Sequence, residues 1–405
     1  MAERLLVLGA GPAQLGVLAA ARRRGLTVVA ADRDPSAPGF RDADRRAIVS
    51  IEDEPAIERL ARAEQVDGLL AAGADHAVAS AARLAERLGL PHPISPEAAT
   101  LSVSKLRQRE RLAAAGIPQP RSIVCRSLDE VVAAADEIGY PCVIEAPDRA
   151  GERGVGLALD REAVSAAARD AVEGTGGEYC LVEELVGGHV VTINGFLLGG
   201  RLVPLTVTDR EPAPAPAFGV SLAHLWPADR EPAEVGAAVE LTSSAAAALG
   251  VADGPVSAQV LFSDSGPLLA KLSARVGGGH EGELCRAALG VDLDDLAVAA
   301  ALGEPVDEER LVPHALAGGA AVRFLVAPPG ELVSVGGVEE AGEVEGVQWV
   351  RIYRQPGHVF HELHRASGRA GAVLAAGPTR AAALAAAAAA AGLVRFEIRP
   401  AGALA

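Results

Sequence analysis

Apolar residues in the first hundred positions fall into short clusters separated by longer stretches with helical spacing. Residues 5–8, 27–31 and 68–72 are compact apolar runs of strand length, and Ile48 marks a further one. Between them, residues 12–24, 55–62 and 78–88 bring apolar side chains back at three- and four-residue intervals, as a helix with one buried face requires. Strand alternating with helix predicts a parallel sheet with helices on its faces.

A different pattern runs through residues 256–275. The apolar run 256–262, the turn Ser263-Asp264-Ser265-Gly266-Pro267 and a second run from Leu268 together predict a β-hairpin. Side chains alternate between the faces of a strand, so Gln259 and Lys271 fall on one concave face, with Ser273 and Arg275 following at period two. Gly277, Gly278 and Gly279 then let the backbone approach a ligand closely, and Glu281 opens a helix. The Ala-rich segment 381–391 is too short and too weakly apolar for a membrane span, and predicts an amphipathic or buried helix.

At 405 residues the chain has room for two or three domains. Its 37 Lys+Arg against 53 Asp+Glu give a net charge of −16, which argues against a nucleic-acid partner. Only Lys105 and Lys271 are lysines, so each stands out from an arginine background. Cys125, Cys142, Cys180 and Cys285 lack paired spacing and predict buried free thiols. The chain opens directly into the strand, so no secretory leader is expected, and a cytoplasmic protein without a membrane partner is the expectation.

The first turn, Gly9-Ala10-Gly11-Pro12-Ala13-Gln14-Leu15-Gly16, followed by Asp32 at the end of the second strand, invites a dinucleotide reading with glycines for phosphate and an acid for ribose. Pro12 and the spacing to Gly16 break the usual GxGxxG, and a tight turn that seats the helix on the sheet is the expectation.

Four further segments carry chemistry. Lys105 lies in SKLRQRERLAAAGIPQP. The stretch GYPCVIEAPDRAGERGVG, 139–156, is a strand running into a loop of glycine and small residues. YCLVEELVGGH, 179–189, reads as a strand leading to a linker, and FGVSLAHLWP, 218–227, holds His224 three residues before Pro227. With the hairpin, these segments resemble the ATP-grasp superfamily in its carboxylate–amine ligase and biotin carboxylase-like layout, over about residues 4–397.

That resemblance implies an α/β protein with the ATP-grasp fold. A Rossmann-like preATP-grasp domain would cover 1–103, and the segment 25–44 looks like part of it. The ATP-grasp domain would cover 104–310 with a mobile lid at about 120–188, and a carboxylase-like α+β domain 311–405. The activity implied is that of an ATP-dependent ligase forming a C–N bond through an acyl phosphate, with ATP and magnesium as cofactors. The partners implied are a nucleotide and a small carboxylate or amino-acid substrate, and the assembly a homodimer. Lys105 would reach the phosphates as a compact charge on a flexible stem. The loop containing Arg153 and Gly154 would fold its amides over them. Glu183, Glu184 and the backbone at Val186 would read adenine, His189 the ribose. His224 would line the cleft, and Arg275 would steady the transferred charge.

The sequence departs from the family at charged positions. Glu145 stands where the strand ends in lysine, Gln259 and Lys271 where the hairpin carries metal-binding acids, and Ser221 where an acid is common. Glu145 beside a triphosphate repels it by about 1–4 kcal/mol per close charge pair at intermediate dielectric. A neutral amide is a poor magnesium ligand and an ammonium none, so Gln259 is a weak metal candidate and ordinary magnesium–ATP catalysis is expected to be impaired. Two readings stay open. In one, Lys271 supplies the phosphate cation that Glu145 does not, or pairs with Glu145 across the cleft. In the other, the chain is a non-catalytic homologue that binds or scaffolds a partner. Finally, His358, His361 and His364 form HxxHxxH; Pro356-Gly357 and the apolar residues between them argue for strand or loop, where their side chains separate, over a metal site.

Overall fold

The computed structural model describes residues 2–146, 155–172 and 180–400, the side chains of 170–172 excepted. Arg153 and Gly154, expected over the phosphates, lie outside the described residues.

The N-terminal pattern folds as read: a four-stranded parallel sheet in the order Arg45–Ile48, Thr27–Asp32, Arg4–Leu8, Gly68–Ala71. The strand Arg4–Leu8 is apolar on both faces because helices cover both, and its last four residues are fully buried. The expected helix at 12–24 is a 3-10 turn, Pro12–Gln14, followed by the helix Leu15–Arg23. Pro12 favours that start, since its missing N–H is one a first helical turn leaves unpaired anyway.

An eight-stranded sheet forms the body of the molecule and draws strands from both sides of residue 310. Its edge is the hairpin of Gly254–Ser263 and Gly266–Ser273, in which Gln259 pairs directly with Lys271 beside a bulge. Val190–Leu198, Arg201–Pro212 and Ser221–Trp226 come next, then Gly319–Leu325, Gly371–Gly377 and Val347–Ile352. The Ala-rich segment is the helix Arg380–Leu393, started by Thr379, whose side chain accepts from the Ala382 amide. Ala383, Ala387 and Ala390 form its buried stripe against this sheet, where short side chains let helix and sheet approach closely.

A separate four-stranded sheet, Ser122–Cys125, Cys180–Glu184, Cys142–Glu145 and Val155–Ala158, has its own small core around Val131, Ile144 and Val182. It sits where the lid was expected. All four cysteines are buried and free. Among the described residues no helix is long and apolar enough to cross a membrane.

Candidate functional site

The three main sheets enclose a cleft of about 740 Å³. Its walls bring together Lys105, Glu145, Glu183, Glu184, Val186, His224, Gln259, Lys271 and Arg275, all named from sequence. His189 does not join them. It directly precedes the strand Val190–Leu198, and its Nε2 sits 2.7 Å from Asp209 Oδ1.

At one end, two cations meet two acids. Lys105 starts the helix Lys105–Ala114, and its ammonium touches Glu145 and lies 2.6 Å from Glu183 Oε2. Arg109, four residues on and so on the same helix face, donates to Glu183 Oε1 at 2.7 Å and to the carbonyls of Leu269 and Ala270. Burial would raise the Glu183 carboxyl, but Lys105 and Arg109 outweigh it and hold it below the usual range. Both Glu183 oxygens are engaged by these two cations. The buried Glu145 Oε1 is in contact with Lys105 only as an ion pair and has no hydrogen-bond donor in line. The cross-cleft pair of Glu145 with Lys271 is not formed, because each charge has a nearer partner.

Lys271 pairs instead with Asp75, the first residue of the helix Asp75–Leu88 in the N-terminal domain. The same carboxylate accepts from Arg275 Nε at 2.6 Å and Ser273 Oγ at 3.0 Å. Asp75 is 3% exposed. Burial pushes its acid upward, yet Arg275 and then Lys271 overcome that and hold it far below the ordinary aspartate value. Sequence reading missed Asp75, which links the helix Asp75–Leu88 to the hairpin.

A third cluster lies where the glycine triplet meets the helix Glu281–Leu289. The close approach these glycines permit is to the protein itself. A Cβ on Gly279 would stand 2.6 Å from His224 Nε2, one on Gly277 2.6 Å from Glu281 Cδ, and one on Gly278 3.1 Å from the Gly73 carbonyl. His224 Nε2 is 3.8 Å from Glu281 Oε1, and its ring meets Phe324 edge-on at 5.7 Å. Burial, only partly countered by Glu281, pushes His224 down to about 4, so the imidazole is neutral near pH 7; its buried Nδ1 has no hydrogen-bond partner. Behind it, His280 holds a left-handed backbone (φ +62°) uncommon outside glycine. Its Nδ1 lies 2.7 Å from Glu283 and its Nε2 2.6 Å from the Tyr353 hydroxyl, which fixes that conformation. Arg351 completes the chain by donating to Glu283 at 2.8 Å.

The dinucleotide alternative meets a filled turn. Asp32 accepts from the amides of Ala10 (2.8 Å) and Asp34 (2.9 Å), and Gln14 packs over Gly9, where a Cβ would come within 2.8 Å of Gln14 Cδ. Asp32 holds the turn closed, as the tight-turn reading expects. The three C-terminal histidines do not converge either: His358 packs against Phe360, while His364 lies on the surface 3.6 Å from Glu362. Among the described residues, no group of three or more His, Cys, Asp or Glu is placed to hold a metal. The two hairpin positions where metal-binding acids were expected hold a neutral amide, Gln259, and an ammonium, Lys271, already paired with an acid. These residues do not fit a magnesium ion.

Residues 104–190 match the family model described as the carbamoyl-phosphate synthase L chain, ATP binding domain, and residues 323–399 the one described as L-amino acid ligase C-terminal domain 2. The protein y4rH of Sinorhizobium fredii is 28% identical over 338 residues, 80% of this chain and 67% of its own length. A formate-dependent phosphoribosylglycinamide formyltransferase of Solidesulfovibrio magneticus is 31% identical over 198 residues, 48% of either chain, so the match spans about half of that relative. Among solved structures, the L-amino acid ligase from Bacillus licheniformis has a TM-score of 0.83 at 19% identity, covering 98% of this chain and 99% of that one. The phosphoribosylglycinamide synthetase from Anaerococcus prevotii has 0.77 at 19%, covering 98% and 100%. The biotin carboxylase domain of the Hydrogenobacter thermophilus 2-oxoglutarate carboxylase, solved as a dimer with MgADP, has 0.78 at 18%, covering 98% and 91%. The fold is that of the ATP-grasp ligases over nearly the whole chain, which bears out the resemblance read from the sequence. Two of its regions match, by sequence, an ATP-binding domain and an amino acid ligase domain.

Proposed function

We propose that this protein is a relative of the ATP-dependent carboxylate–amine ligases that keeps the cleft for a nucleotide and a small carboxylate or amino-acid substrate, with ordinary magnesium–ATP catalysis impaired. The observation that carries this reading is the double charge exchange in the cleft. Glu145 neutralises Lys105 at the end expected to hold phosphates, and Lys271, held by Asp75, occupies the hairpin where metal-binding acids were expected. The network of Lys105 and Arg109 with Glu145 and Glu183 needs no ligand to balance its charges.

Within the cleft, Glu184, Leu185 and Val186 form the wall suited to a flat base. Arg210, Arg354, Arg365 and Arg369 line the other end and suit an anionic substrate. Arg369 is held there by stacking 3.7 Å over the Phe324 ring. The proposal includes a cytoplasmic location and a homodimer, the latter by analogy with the Hydrogenobacter domain.

The test is phosphate release from ATP in magnesium, across a panel of small carboxylates paired with amines. Release no faster than in a protein-free control supports impaired catalysis, while sustained amine-dependent turnover with any pair overturns it. The second reading, a non-catalytic binding or scaffolding subunit, is favoured by the balanced network of Lys105 and Arg109 with Glu145 and Glu183. Nucleotide binding together with a co-purifying protein partner, and no turnover, would support it.

A further inference from the structure

The Asp75 cluster has the form of an anion site filled by the chain's own carboxylate. One acid from the first turn of the helix Asp75–Leu88 takes the ammonium of Lys271, the guanidinium of Arg275 and the hydroxyl of Ser273. Two cations and a hydroxyl converging on a pair of oxygens are what a bound phosphate requires. All three donors come from one short stretch, the end of the hairpin and the two residues after it, and all line the cleft.

Exposure separates the partners. The side chains of Lys271 and Arg275 are 24% and 12% exposed, while that of Asp75 is 5% exposed. The cations are reached from the cleft and their counter-ion lies beneath them. Two cations against one acid leave a surplus positive charge. With the acid withdrawn, two cations match the two charges of a phosphate. Asp75 stands in the first turn of its helix, where a carboxylate is favoured whether or not the cations are paired with it. Gln259, paired with Lys271 across the hairpin, adds an amide N–H donor at the same level.

We propose that Lys271 and Arg275 form a phosphate-binding centre that works without a divalent cation, with Asp75 as an internal counter-ion that competes with the ligand. This deepens the reading of the cleft given above and rests on it only for the nucleotide. The ammonium, tethered and already desolvated on one side, does the neutralising that a metal would otherwise do. The ligand class is a phosphate, free or carried by a nucleoside diphosphate.

Calorimetric titration of inorganic phosphate and of ADP, both in EDTA, tests this on the wild type, Asp75→Asn and Lys271→Gln. The wild type is expected to bind both, Asp75→Asn about tenfold more tightly and Lys271→Gln about tenfold more weakly, the change a single charge-assisted interaction with the ligand makes. Binding that appears only when magnesium is added overturns the proposal. So does an Asp75→Asn protein, folded by its melting curve, that binds no tighter, or an absence of phosphate binding in every variant. If Asp75→Asn does not fold, Lys271→Gln decides alone, and unchanged phosphate affinity overturns the proposal. Phosphate binding with this pattern but no ADP binding leaves the centre standing and removes the nucleotide reading.

Discussion

Lys271 is ion-paired with Asp75, a residue 196 positions earlier in the chain that belongs to a different sheet system. The contact joins the N-terminal domain to the hairpin, and it leaves Glu145 with its own partner, Lys105, at the other end of the cleft.

Reversing the two swapped charges therefore has independent effects. Glu145→Lys and Lys271→Glu each lower stability, the first by setting two ammoniums against each other, the second by facing Asp75 with another acid. Their costs in urea unfolding are expected to add to within about 0.5 kcal/mol, as for sites without shared partners. A double variant more stable than either single one would mean that Glu145 and Lys271 interact after all.

Glu183 ties the helix Lys105–Ala114 to the separate four-stranded sheet through both Lys105 and Arg109. Glu183→Gln leaves the buried Arg109 without a counter-ion and Lys105 with Glu145 alone, so unfolding free energy should fall by about 3–5 kcal/mol. Denaturant titration reads this directly; a loss below about 1 kcal/mol would place the pair among solvent-screened ones.

Tyr353→Phe removes the hydroxyl that meets His280 Nε2 and leaves a buried ring nitrogen unpaired. A cost of about 1–3 kcal/mol is expected, visible as a lower urea midpoint at unchanged slope. No shift in the midpoint would show that a water takes the place of the hydroxyl.

His224 gives the fold a pH dependence of defined sign. Its imidazole, held down to about 4 when folded against 6.5 when free, takes up its proton more readily in the unfolded chain. Stability attributable to it is complete above about 6.5 and is lost as pH falls through the interval down to about 4. His92 and His358 shift in the same direction and add to the slope, whereas the lowered carboxylates of Asp75, Glu281 and Glu283 act only below about 4.5. His224→Gln should flatten unfolding free energy against pH between 4 and 6.5, and an unchanged slope there would mean that His224 is not neutral in the fold.

Much of this was legible because it is local. The hairpin, its turn and the register of Gln259 opposite Lys271 follow from alternation about one tight turn. The Ala-rich helix and the parallel N-terminal sheet follow from apolar period. Arg109 was within reach too, as the i+4 neighbour of Lys105. Asp75 was not, since an acid opening a helix after Gly73 looks like any favourable first-turn residue, and nothing nearby announces two cations from a distant hairpin. The partner of His189 was hidden for a similar reason: the linker motif fixes its position in the chain, but Asp209 comes from the neighbouring strand.

The most direct test of the hairpin as a site without magnesium is ADP affinity measured with magnesium and with EDTA, in the wild type and in a Gln259→Glu/Lys271→Glu double variant. The wild type should bind equally in both, to within about twofold, while the double variant, with acids restored beside Asp75, should gain at least about tenfold from magnesium. Wild-type binding that collapses when magnesium is removed would contradict the account.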